Sequence, residues 1–170
     1  MIIDKYKTIF VHIPKNAGTS IKDFFNRDRG DKLCIPLVKI NKHDTIHQIK
    51  LKVPELYSSF RKFAVVRNPY DRTLSWYSYL EGKKDEFKKW LKNPIHKLEP
   101  QYTWVDETVV IIKYENLNEG LNKFFGKEID LPVTNKSKHD HYLELYDQES
   151  LDVVYSRYRE DFEKFNYKKI

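Results

Sequence analysis

Three short apolar runs, each followed by a stretch of helical periodicity, restrict this chain to an α/β fold. They are Thr8–Ile13 (TIFVHI), Lys62–Val66 (KFAVV) and Thr108–Lys113 (TVVIIK). Runs of this length without polar alternation suit strands buried on both faces, as in a parallel sheet with helices laid over it. The intervening segments supply those helices. After the first run, Ile21, Phe24 and Phe25 share a face, with Thr19 or Ser20 as the expected cap. After the second, Asn68 and Pro69 open a helix expected to reach Leu80, and after the third a helix from about Asn116 to Phe125 closes on Gly126.

Other elements are expected around this frame. Leu33–Val38 reads as a further strand that Pro36 confines to an edge, and a helix from Asp44 ends at Pro54. A lysine-backed helix covers Lys84–Lys92. Beyond the polar stretch Gly126–Tyr142, one C-terminal helix capped by Asp147 aligns Leu151, Val154, Tyr155, Tyr158, Phe162 and Phe165. With 170 residues, 40% of them hydrophobic, one core and hence a single domain over residues 1–170 is expected. Open α/β sheets bind ligands beyond the carboxyl ends of their strands.

Net charge +6 and a pI near 9.1 point to an anionic partner without choosing among nucleotides, acidic glycans, nucleic acid or a membrane surface. Cys34 is the only cysteine, which excludes an internal disulfide. The charged start followed by a short apolar run is too short for a signal or spanning segment, so the cytoplasm is the expected compartment.

The turn after the first strand, PKNAGTS, has the make-up of a phosphate-binding loop. Gly18 admits close backbone approach, Lys15 adds a charge, Thr19 and Ser20 add hydroxyls, and the following helix points N–H groups at the anion. An ATP-binding P-loop would place Lys directly before the hydroxyl residue, and a magnesium site would want an Asp at a strand end. Here Lys15 precedes Gly18, and Thr108–Lys113 runs on into Tyr114 and Glu115. An anion held by protein donors without a metal is the favoured reading.

HIPKNAGTS resembles the 5′-phosphosulfate loop of the sulfotransferase family that includes the heparan sulfate 2-O-sulfotransferases and small bacterial relatives. VVRNPYDRTLSWY is similar to that family's 3′-phosphate segment. KHDTIHQIK, YENL and NKSKHDHYLELYDQES through DFEKFNY resemble further family segments, so the likeness runs over most of the chain. The resemblance implies a three-layer α/β/α, P-loop NTPase-like fold with a central parallel sheet. It also implies 3′-phosphoadenosine 5′-phosphosulfate as donor, its desulfated form as product, no metal, and a carbohydrate or small-molecule acceptor rather than nucleic acid.

On the same resemblance, residues Lys15, Asn16, Ala17, Gly18, Thr19 and Ser20 hold the 5′ end, while Arg67 and Ser75 hold the 3′-phosphate. Arg suits that task through its planar fork of donors. Lys136 and Ser137 cover the nucleotide. Asn16 stands where Thr is commonest in the family. His43 matches the expected base, and Lys15 stabilises charge on the leaving phosphate. Arg72 is a further candidate whose alternative is a surface ion pair.

Rival readings exist for the same residues. His43 and His47, four apart, would ligate a metal on a helix face, with His139 or His141 as third ligand, giving a hydrolase. A nucleotide-binding module without chemistry would use the same loop and lysines. His12 is expected to be satisfied locally at the end of a buried strand. Trp76, Tyr77, Tyr79 and Trp104 divide between core packing and a sugar platform, and Gln101 and Tyr102 are placed by analogy on the acceptor side.

Overall fold

The computed structural model describes residues 1–27, 40–80, 87–131 and 142–170. Among these, the sheet is mixed and follows the order β1-β2-β3-β4, with β1 Ile2–Ile3, β2 Thr8–Val11, β3 Arg61–Val66 and β4 Val110–Lys113. β2, β3 and β4 run parallel, in register Phe10↔Phe63 and Val65↔Ile112. β1 is antiparallel to β2. It was not foreseen, because two apolar residues beside charged neighbours carry no periodicity to read. The helices are α1 Gly18–Arg27, α2 Ile46–Lys52, α3 Pro54–Ser59, α4 Pro69–Leu80, α5 Phe87–Lys92, α6 Leu117–Phe125, α7 Gln148–Arg157 and α8 Arg159–Lys164.

Two compact units divide the chain: Met1–Val66 with Thr103–Asn135, and Arg67–Tyr102 with Lys136–Ile170. In the first, Phe10, Phe63 and Val65 form one sheet face with Ile112, and α1 and α6 lay Ile21, Phe25, Leu121 and Phe124 in the same cluster. Each such side chain contributes about 1.5–3 kcal/mol on burial. Gly120 of α6 lies so close to β4 that a Cβ there would meet Ile112 Cγ2 at 2.5 Å, so the glycine sets the helix-to-sheet distance. Gly126 ends α6 in the left-handed region at φ 66°, as expected of a C-cap glycine.

The helix after β2 begins at Gly18, placing Thr19 and Ser20 in its first turn rather than at the cap. Helix α2, expected from Asp44, begins at Ile46, with Thr45 as its cap in a capping box with Gln48. Pro54 both follows the end of α2 and opens α3.

The second unit is helical. Tyr70, Leu74 and Tyr77 of α4 pack with Phe87, Trp90 and Leu91 of α5 and with Val154, Tyr158 and Phe162. Asn68 Oδ1 accepts from Tyr70 N–H at 3.0 Å, so α4 starts as the sequence predicts. Asp147 caps α7, again as expected. The single C-terminal helix expected from the sequence is two helices, broken at Tyr158 (φ −122°, ψ 25°). The break lets Asp161 and Phe162 of α8 both turn inward. The expected strand Leu33–Val38, and Lys136, Ser137, His139 and His141, lie outside the described residues.

Candidate active site

Between β2 and α1 the backbone takes an unusual path. Lys15 and Ala17 have φ of 70° and 59°, while Asn16 between them does not lie in the left-handed region. Alternating hand turns successive N–H groups to one side and forms a concave nest for an anion. The first turn of α1 adds its own N–H groups and the positive end of the helix dipole. A left-handed non-glycine residue costs about 1–2 kcal/mol, so this shape is held against local preference. Asn16 supplies part of the hold: its buried side chain donates from Nδ2 to the Val65 carbonyl at 2.7 Å. That side chain ties the loop to β3.

Gly18 has a steric duty that its place in a phosphate loop did not suggest. A Cβ on residue 18 would lie 1.8 Å from His12 Nε2 and 2.0 Å from Cδ2, so the imidazole of His12 occupies the space a side chain would need. His12 is 7% exposed, stacked on Phe10 at 5.5 Å and tilted against His43 at 4.7 Å. Burial, reinforced by charge on His43, Lys42, the Met1 amine and Lys22, lowers its pKa to about 3, so the ring is neutral at physiological pH.

His43 stands exposed on a short turn that is firmly held. Asn41 N–H donates to Asp44 Oδ2 at 2.7 Å, and Lys52 Nζ pairs with the same oxygen at 2.6 Å. Burial opposes charge on Asp44, but the Lys52 ammonium and the Asn41 N–H outweigh it and hold the carboxyl below its ordinary range. From this turn His43 Nδ1 lies 3.0 Å from the His12 carbonyl oxygen. A carbonyl only accepts, so Nδ1 carries a proton, and in the neutral ring the lone pair is then on Nε2. Trp104 meets the His43 ring edge-on at 6.2 Å and 84°. It is 8% exposed, and its buried indole N–H meets no hydrogen-bond partner among the described residues.

The shared helix face on which a His43–His47 metal pair would sit is not present. His43 precedes the Thr45 cap of α2 and His47 lies inside that helix, so the two do not share the helical i, i+4 face. Among the described residues no group of three or more His, Cys, Asp or Glu is arranged to hold a metal.

The second unit holds the other expected residues. Arg67 directly follows β3 and is buried. Its Nε donates to Asp71 Oδ2 at 2.6 Å, which fixes the guanidinium plane. Its backbone is clamped by the Gln101 amide, which accepts from Arg67 N–H and donates to Arg67 C=O, both at 2.9 Å. Gln101 is held in turn, because Asp161 accepts from the Gln101 and Tyr102 N–H groups at 2.8 and 2.9 Å. Gln101 is therefore a buried brace behind Arg67 and not an acceptor-side residue. Sequence reading missed both braces; the one available signal was that Asp161 falls seven residues after Val154, on the apolar stripe of the C-terminal helix.

Arg72 is not on the helix surface. It is 2% exposed and donates from Nη1 to the Glu99 carbonyl at 2.9 Å, and burial lowers its pKa to about 10. Ser75 is half-buried in the second turn of α4. On the same helix Trp76 and Tyr79 stack at 5.6 Å and 16°, with Tyr79 70% exposed and Trp76 donating to the His96 carbonyl. Tyr77, by contrast, belongs to the core.

In this α/β scaffold strand β2 leads through a loop with two left-handed residues into the N-terminus of α1, with the His43 imidazole beside the strand end. The family model described as the sulfotransferase family matches residues 1–108, more than half of the 170, and the chain belongs to that family. No curated protein and no solved structure matches the chain significantly. The protein is thus a transferase of the sulfotransferase family, and among the described residues no helix is long and apolar enough to cross a membrane.

Proposed function

We propose that the protein moves a sulfuryl group from 3′-phosphoadenosine 5′-phosphosulfate to a hydroxyl of a carbohydrate or similar acceptor. The donor supplies an activated sulfur–oxygen bond, and its desulfated nucleotide leaves. The Lys15–Ser20 loop holds the 5′ end through backbone N–H groups and the Lys15 ammonium, which offsets charge growing on the leaving phosphate. Arg67 and Ser75 hold the 3′-phosphate, with Lys136 and Ser137 as covering residues. As the acceptor oxygen bonds to sulfur, its proton passes to His43 Nε2.

The observation that carries this reading is the His43 Nδ1–H donating to the His12 carbonyl, which leaves Nε2 basic. The alternating φ signs across Lys15–Ala17 support the anion site, and the Trp76–Tyr79 stack, with its Tyr79 ring exposed, supports a sugar-like acceptor, since flat rings pack against sugar faces. The reading carries the three-layer, P-loop-like architecture with it, in keeping with burial of both faces of β2 and β3 through Ile9, Phe10, Ala64 and Val65.

The test is acceptor-dependent release of the desulfated nucleotide. His43→Ala is expected to cut turnover by about 100-fold or more while calorimetric affinity for that nucleotide stays within about threefold, and Lys15→Ala with Arg67→Ala is expected to abolish that affinity. Wild-type affinity surviving loss of Lys15 and Arg67 would overturn the site assignment.

A further inference from the structure

We propose that His12 is a positioning residue that couples the anion loop to the base, its ring being a wedge between Gly18 and His43. The inference rests on reading His43 as the base, and adds a residue that acts through it.

Three contacts made by one residue carry the argument. First, the ring fills the volume over the start of α1, because a Cβ at residue 18 would lie within 2.5 Å of three of its atoms, far inside any tolerated contact. Second, Phe10 stacks on the imidazole with an interplanar angle of 19°, and His43 is tilted against it at 4.7 Å, so neighbours confine the ring. Third, the carbonyl of the same residue receives His43 Nδ1–H at 3.0 Å and so sets which nitrogen is basic. Trp104 meets the His43 ring edge-on at 6.2 Å. A shift of α1 or of the loop displaces the His12 ring, and a displaced ring moves both the carbonyl and the surface on which His43 rests.

Chemistry favours a neutral wedge. His12 lies at the positive end of the α1 dipole, and burial first, then charge on His43, Lys42, the Met1 amine and Lys22, opposes a proton on it. A charged ring would repel the proton arriving on His43, whereas a neutral one does not. A histidine that merely filled space would show none of this coupling; its loss would lower stability and leave the state of His43 untouched.

The size conflict at Gly18 permits a double-mutant cycle in the full chain. Wild type, Gly18→Ala, His12→Ala and the double variant are compared by melting temperature, calorimetric affinity for 3′-phosphoadenosine 5′-phosphate, kcat, and the nitrogen NMR signals of His43. Gly18→Ala is expected to lower melting temperature and reduce nucleotide affinity about tenfold or more, and the double variant to regain affinity to within about threefold of wild type. In both His12→Ala variants kcat is expected to stay about tenfold or more below wild type with KM little changed, and the Nδ1–H signature of His43 to give way to a mixture of tautomers.

A Gly18→Ala protein that is insoluble until His12→Ala is added also supports the coupling. Three results overturn it: Gly18→Ala binding nucleotide like wild type, a double variant no better than Gly18→Ala alone, or an unchanged His43 signature in His12→Ala. Should wild type bind no nucleotide, the donor reading fails by itself. The coupling is then decided by melting temperatures and the His43 signature, where lack of recovery in the double variant overturns it.

Discussion

Lys15 and Ala17 show how a binding loop is held in a shape its residues resist. Both sit in the left-handed region without being glycine, at φ 70° and 59°. Ala17 carries no charge and is only half-buried, so its strain can be probed cleanly. Ala17→Gly relieves about 1–2 kcal/mol of backbone strain and gives back about 0.5–1 kcal/mol in unfolded-state entropy. The expected result is a neutral to slightly raised urea midpoint with weaker nucleotide affinity from a looser nest. A clear loss of stability would show that the left-handed conformation is not costly at that residue. The loop's chemical character was legible from the PKNAGTS string, because lysine, glycine and hydroxyl residues are informative wherever they point. Its left-handed residues were not, because alanine and lysine carry no local mark of positive φ.

At the scale of elements, Arg67 depends on a helix far along the chain. Asp161 of α8 anchors Gln101, and Gln101 grips the Arg67 backbone, across sequence separations of 60 and 34 residues. Asp161→Asn keeps the volume but turns an amide N–H toward a backbone N–H. It is expected to cost about 1–3 kcal/mol in a urea titration, and to weaken nucleotide binding about tenfold although residue 161 touches no ligand. Unchanged affinity in a folded Asp161→Asn protein would separate the brace from the site. The break at Tyr158 makes this brace possible. Apolar periodicity runs smoothly from Leu151 to Phe165 and hides the break, since a hydrophobic stripe reports burial and not continuity of the helical axis.

For the whole molecule, pH tests the buried imidazole. The folded pKa of His12, about 3, lies below its ordinary 6.5, so between these values the unfolded chain binds more protons than the folded one. The contribution of His12 is therefore complete above pH 6.5 and is lost as pH falls toward 3. The difference in urea midpoint between pH 7 and pH 5 is expected to be smaller in His12→Ala than in wild type. Equal differences would mean that the buried ring does not stay neutral.

The sequence alone determined where β2, β3 and β4 run, the chemical character of the loop between β2 and α1, the caps at Asn68 and Asp147 and the stop at Gly126, because each follows from neighbours within a few residues. Only the tertiary structure decided that the space over Gly18 belongs to His12, that His43 is set by a carbonyl 31 residues away, and that Gln101 braces Arg67. Those are matters of volume and hydrogen-bond direction between distant segments. Local propensity and periodicity carry no record of them until the chain has closed on itself.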